Sequence, residues 1–295
     1  MPRAKLGLHR AGFACRIVSA CLSLIAFLAT PVAYAGPPFQ TDDPEPVDYR
    51  HFEMYAFELS DGTTQGGTTL SAPAYEVNYG VVPNVQLHLV LPFTNVFPPD
   101  DSNQHGIGDT EFGIKLRFLK ESKNLPQVGI FPFFEFPSGN ADKGLGVGKT
   151  WYRMPLWLQK SWGPDDRQWT SYGGGGYVIV PQRDSVNYPF AGWLVQRQFS
   201  KKVTLGAELF GHGPQAPDTT RSSTMLDLGG VYEFHDGFDL LFAAGKSVYG
   251  QPETYTYLAL YWTWGPKDAA DKDKDQSAPA PAKMLSALSH FRPHS

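Results

Sequence analysis

Apolar and polar positions alternate with a period of two along most of the chain from about residue 50 onward. This is the pattern of strands with one apolar and one polar face. Tyr75, Val77, Tyr79 and Val81 share one face, while Glu76, Asn78 and Gly80 share the other. Phe112, Ile114, Leu116 and Phe118 alternate with Glu111, Gly113, Lys115 and Arg117, and Val203, Leu205, Ala207 and Leu209 alternate with Thr204, Gly206 and Glu208. Read this way, the chain predicts twelve strands, near 50–59, 72–81, 84–93, 109–119, 126–136, 150–161, 168–180, 190–199, 202–211, 222–234, 238–246 and 254–264. Most are about ten residues long, the length a tilted strand needs to cross a bilayer, whereas strands of globular proteins average nearer five or six.

The connections sharpen this picture. Tight or moderate turns at Val82-Pro83-Asn84, 121–125, 162–167, Ser200-Lys201 and His235-Asp236-Gly237 alternate with longer loops such as 60–71, 137–149 and 212–221. Short turns on one side and long loops on the other are the habit of outer-membrane barrels, with the short turns in the periplasm. The expected fold is therefore all-β, a single antiparallel up-and-down transmembrane β-barrel of about 12 strands with both termini on the periplasmic side. A soluble β-sandwich is the competing architecture, and it has no reason to alternate loop lengths so regularly.

The N-terminus says how such a chain would reach that membrane. Arg3, Lys5, Arg10 and Arg16 precede an apolar run, Ile17 to Ala29, and Ala33-Tyr34-Ala35 supplies a small-residue cleavage site. This is the arrangement of a secretory signal peptide, and the run is too short for a membrane-spanning helix. The expected organisation is a signal peptide at 1–35, a periplasmic N-terminal segment at 36–49, the barrel at 50–265 and a disordered C-terminal tail at 266–295, whose charged, Ala/Pro-rich start lacks aromatics. Removing 35 residues lowers Lys+Arg from 25 to 21 against 29 acids, a net charge of −8, which gives no electrostatic claim on nucleic acid. Both cysteines, Cys15 and Cys21, leave with the signal peptide. Disulfides, thiolate metal sites and an acylated N-terminal cysteine are thereby excluded from the mature chain.

Aromatic residues cluster near the predicted strand ends: Tyr49, Phe52, Phe93, Phe97, Phe118, Trp151, Trp162, Trp169, Phe199, Phe210, Phe234, Phe238, Tyr249, Trp262 and Trp264. Rings at those heights would form the two interfacial girdles. Gly173-Gly174-Gly175-Gly176 interrupts a strand, and either the close approach of Trp151, Trp157 or segment 36–48 from inside, or local curvature of the wall, would account for it. Pro132 and Pro155 fall in mid-strand, where a closed barrel has no free edge, so bulges are expected there.

Two stretches carry a family resemblance. One is Tyr75-Glu76-Val77-Asn78-Tyr79-Gly80 running on to Val85-Gln86-Leu87-His88-Leu89 and Leu91-Pro92-Phe93. The other, more specific, is Gly106-Ile107-Gly108-Asp109 followed by Gly113-Ile114-Lys115-Leu116-Arg117-Phe118. Over about residues 39–265 the chain resembles the outer-membrane barrel family labelled "putative meta-pathway of phenol degradation", whose members are often called transporter-like. The resemblance implies a barrel pore for aromatic or other hydrophobic compounds and brings no catalytic residues with it.

If the apolar faces meet lipid, the polar faces line the lumen. Glu76, His88, Glu111, Lys115, Arg117, Glu135, Arg153, Glu208, Asp227 and Glu233 are the pore-lining candidates. Both signs of charge occur, so the interior is either a selective constriction or a network of ion pairs that plugs a narrow barrel. Twelve strands lie between the eight that enclose only side chains and the sixteen or more that leave a water-filled channel. The expected function is passive uptake of small hydrophobic or aromatic molecules, with a non-conducting structural or surface-interaction barrel as the alternative and a barrel lipid hydrolase as the third reading. The expected partners are outer-membrane lipid, a small-molecule permeant and the barrel-assembly machinery. No cofactor, metal or catalytic residue is expected. Ser102, Asn103 and His105 share a polar loop but lack a positioned base, and Gly144 to Thr150 misses the phosphate-loop spacing by one residue.

Overall fold

The computed structural model describes residues 37–63, 67–164, 167–181, 186–215 and 221–266. The expected signal peptide, 1–35, and the expected tail beyond residue 266 lie outside the described residues. Fourteen strands run in chain order: β1 (Phe52–Thr63), β2 (Gly67–Val82), β3 (Val85–Phe97), β4 (Gln104–Ile107), β5 (Thr110–Leu119), β6 (Gln127–Ile130), β7 (Phe133–Phe136), β8 (Trp151–Trp162), β9 (Trp169–Ile179), β10 (Tyr188–Ser200), β11 (Val203–His212), β12 (Ser223–His235), β13 (Phe238–Gly250) and β14 (Glu253–Trp264). Each is antiparallel to its neighbours, and β1 pairs with β14 from Phe52↔Trp264 to Thr63↔Glu253, so the sheet closes on itself.

The fourteen strands make twelve staves. β4 and β5 both lie along β3, and β6 and β7 both lie between β5 and β8. The predicted strand 109–119 thus has an upper continuation at 104–107, broken at Gly108-Asp109, and the predicted strand 126–136 is split at Phe131-Pro132. That second break is where the mid-strand prolines meet. Ile130 pairs with Leu156 and Phe133 with Arg153, which sets Phe131-Pro132 against Met154-Pro155. Neither proline has an N–H to give. The Pro132 carbonyl instead accepts from Ile114 N at 3.0 Å, and Phe131 N reaches the Pro155 carbonyl at 3.5 Å.

Three hairpin turns are two residues long, closed by Val82↔Val85, Ser200↔Val203 and His235↔Phe238. Asn84 and Gly237 take the positive φ that such turns require, 66° and 75°. Outside, the wall is apolar: Leu91, Ile114, Trp193, Leu209, Leu228 and Leu258 are all exposed. Phe118, Trp162, Trp169, Phe199, Phe234 and Trp264 are exposed at the short-turn end, and Phe93, Phe97 and Tyr249 toward the long-loop end. Two of the expected girdle residues are elsewhere. Phe210 is buried and faces inward with Glu208, and Trp151 packs against the interior cluster of Phe131, Trp157, Val178, Phe190 and Phe210.

The Gly173–Gly176 run lies against β8 and β10. A side chain at Gly174 would collide with the Leu156 carbonyl and press on the Trp157 ring. The N-terminal segment packs against other glycines: a methyl at Gly192 would strike Thr41 Oγ1, and one at Gly129 would strike Pro44.

Candidate functional site: the lumen

The segment 37–50 runs inside the barrel, a placement the sequence offered for 36–48 only as one of several accounts of the glycine run. Thr41 and Asp43 are fully buried and Phe39 and Val47 nearly so. Nothing in its sequence is periodic, so its backbone finds no ladder and must be satisfied by side chains of the wall. At the short-turn end Gln86 Oε1 accepts Val47 N at 2.9 Å. Arg117 donates to Glu45 Oε1 at 3.2 Å, Gln127 Oε1 at 3.1 Å and Asn84 Oδ1 at 3.0 Å. Higher up, Lys115 Nζ lies 3.0 Å from Asp42 Oδ1 and 3.5 Å from Asp43 Oδ2, and 5.0 Å above the Phe131 ring. Burial raises the Asp43 carboxyl well above the ordinary carboxylate range, and the Lys115 ammonium offsets only part of that rise. At mid-height Glu208 accepts the backbone N–H groups of both Gln40 and Thr41, and Gln40 Nε2 donates to Asp227 Oδ2 at 2.9 Å. Tyr255 donates its hydroxyl proton to the Pro38 carbonyl at 2.9 Å.

All ten candidate side chains lie on the inward-facing rows, nine of them in three groups. Lys115, Arg117, Glu208 and Asp227 hold the N-terminal segment. Glu76, His88 and Glu111 form a second group with Asn78: His88 Nδ1 lies 2.8 Å from Asn78 Oδ1 and Nε2 lies 2.7 Å from Glu111 Oε1, while Asn78 Nδ2 donates to Glu76 Oε1 at 2.8 Å. Glu135 and Arg153 stand higher. Arg153 has no ion-pair partner among the described residues and stacks its guanidinium on Phe190 at 4.1 Å, Phe133 at 5.5 Å and Phe210 at 5.8 Å. Glu233 is apart, at the short-turn end of β12, paired across the ladder with Asp239.

Above the N-terminal segment remains a cavity of about 590 Å³. A second, of about 350 Å³, shares Gln40, Asp61, Thr69 and Arg153 with it. The roof of the larger cavity comes from the loop after β7. Asp109, the acid of the Gly106–Asp109 motif, accepts Gly139 N at 2.8 Å and Val147 N at 2.7 Å. Ser138 Oγ receives Thr110 N at 2.8 Å and donates to the Gly108 carbonyl at 2.9 Å. Pinned in this way, the loop turns Leu145 inward, where it is buried beside Gly106. The motif was visible in the sequence, but the role of its aspartate was not, because both partners come from another loop. The acids of the N-terminal segment were also passed over. The one hint was an acidic run, Asp42-Asp43-Pro44-Glu45, ahead of a barrel whose inward rows include Lys115 and Arg117.

The loop holding Ser102 assembles no catalytic pair among the described residues. Ser102 Oγ meets Asp101 and Gln104, and the His105 ring packs 6.3 Å from Phe93.

The fold and lumen define a closed transmembrane β-barrel with an internal N-terminal plug. The family profile described as "Putative MetA-pathway of phenol degradation" matches residues 53–263, and the chain belongs to that family. Among solved structures, a COG4313 outer membrane channel from Pseudomonas putida F1 shares 14% identity at a TM-score of 0.60, over 78% of this chain and 100% of that one. The translocator domain of the autotransporter NalP from Neisseria meningitidis shares 12% at a TM-score of 0.48, over 85% and 97%. The CymD monoaromatic hydrocarbon channel shares 10% at a TM-score of 0.36, over 75% and 89%. At 14% identity the likeness to the first of these concerns the fold alone. No curated protein matches the chain.

Proposed function

We propose that this barrel is an outer-membrane channel for the passive uptake of small hydrophobic or aromatic molecules. The observation that carries this reading is the cavity of about 590 Å³ inside the wall, lined by Phe57, Phe131, Phe133, Trp157 and Tyr257 together with carboxylates. Its size and mixed lining suit one small ligand with an apolar body and a few polar contacts. The apolar exterior with its aromatic ends supports residence in the outer membrane of a Gram-negative cell. Export by a signal peptide cleaved after Ala35, and insertion by the barrel-assembly machinery, follow from that placement. In this reading the ten inward candidates line or close the path, and the N-terminal segment narrows it.

That same segment favours a second reading, a barrel that is sealed and serves the envelope structurally. Liposome swelling with neutral aromatic solutes separates the two. Passage that grows when residues 37–47 are deleted is the outcome expected of a channel. A barrel that stays impermeable with and without the segment sinks the channel reading.

A further inference from the structure

The charge of the main cavity is lopsided, and we infer that its preferred occupant is a small organic cation, an ammonium group on an aromatic or apolar body. The inference rests on the channel reading above and narrows it to a substrate class. Asp42, Asp61, Glu76, Asp109, Glu111 and Glu135 all reach the cavity wall. Facing them are the Arg153 guanidinium and the His88 ring, with Lys115 just behind Asp42. Counting all three as cations still leaves three carboxylates in excess.

Those acids differ in what they have left to offer. Asp42 is engaged by Lys115 and Asp109 by two loop amides, and neither is free to change partner. Glu76 and Glu111 share the one His88 ring, and the Asp61 carboxylate has no hydrogen-bond or ion-pair partner among the described residues. A cleft lined by one sign of charge between low-dielectric walls concentrates ions of the opposite sign, by tenfold or more at low salt.

Two further observations point to a cation with an apolar body. Tyr257 lines the cavity with 5% of its surface exposed, and its hydroxyl has no hydrogen-bond partner among the described residues. A phenol oxygen can accept from an ammonium N–H. The interior also already holds cations on aromatic faces, Lys115 on Phe131 and Arg153 on Phe133. The Phe57 and Trp157 rings in the same wall offer the same kind of contact. Arg153 is the feature that argues for an anion, but three phenylalanine rings cover it and Glu111 and Glu135 line the same cavity.

The test uses the whole mature barrel in detergent and a matched pair of probes, 2-phenylethylammonium and phenylacetate, titrated calorimetrically at low salt. The ammonium compound is expected to bind about tenfold or more tightly than the carboxylate. The gap should narrow in molar salt and in the Glu76→Gln/Glu111→Gln variant. Equal binding, or tighter phenylacetate, overturns the inference, and the comparison on the unaltered protein holds even if the variant fails to fold. Liposome swelling with the same pair and with neutral 2-phenylethanol separates this result from the channel reading. Ammonium binding without passage of any probe sinks uptake and leaves the inference standing. Equal passage of all three sinks the inference and leaves uptake standing.

Discussion

Glu208, at mid-height on β11, accepts the backbone N–H of Gln40 at 3.0 Å, a contact between residues 168 positions apart in the chain. With Thr41 N on its other oxygen, this one carboxylate serves as the upper anchor of the N-terminal segment. Hydrogen bonds to a charged acceptor contribute about 1.5–3 kcal/mol each. Glu208→Ala is therefore expected to free residues 37–42, and single-channel recordings in planar bilayers should show a conductance several-fold higher. Unchanged conductance would mean that the segment is held by other contacts.

A second route to the same state passes through Gly192. The Thr41 hydroxyl occupies the space that a side chain there would need. Gly192→Val should displace Thr41 and raise conductance as Glu208→Ala does. Because both changes act on one short stretch, the double variant should add little to either alone. Full additivity in the same recordings would show that the two act on separate structures.

Lys115 supports a different turn of the segment. Lys115→Met leaves Asp42 and the fully buried Asp43 without their cation, and breaking a buried pair in this way costs about 3–5 kcal/mol. The loss falls on docking of the segment and spares the barrel. Amide exchange at residues 40–47 should speed up by about a hundredfold or more, while exchange in β10–β14 stays slow. Uniform acceleration throughout the barrel would contradict this division.

Asp109 governs the roof. Asp109→Ala removes the acceptor of Gly139 N and Val147 N together. The loop between β7 and β8 should then open to trypsin at Lys143 and Lys149, with cleavage at least about tenfold faster than in the unaltered protein if one such bond sets the opening energy. Cleavage at an unchanged rate would show that the Ser138 contacts alone hold the loop.

Most of the wall was legible in the sequence because its alternation reports which face each residue takes. Strand ends were found within a few residues, apart from longer upper ends on β1, β2, β3 and β13 that rise past the apolar band. Phe210 was misplaced for an instructive reason. It sits two residues from Glu208 and so on the inward row, yet its position near a strand end suggested a girdle. The interior was less legible. The N-terminal segment has no period, and its partners on the wall lie between about 40 and 220 residues away, so nothing local marks it as buried. The prolines at 132 and 155 were recognised as awkward singly. That each removes a donor from the same gap in the ladder depends on a register that only the paired strands establish.

The placement of the plug's anchors also imposes an order in time. Its contacts on β11 and β12 come from the last third of the chain, and β14 must reach β1 before the wall is complete. The N-terminal segment 37–50 would thus be the last to settle, waiting for strands synthesised well after it. An assembly intermediate stalled short of closure would be both unzipped and leaky, and seating of the plug would report that the barrel is finished.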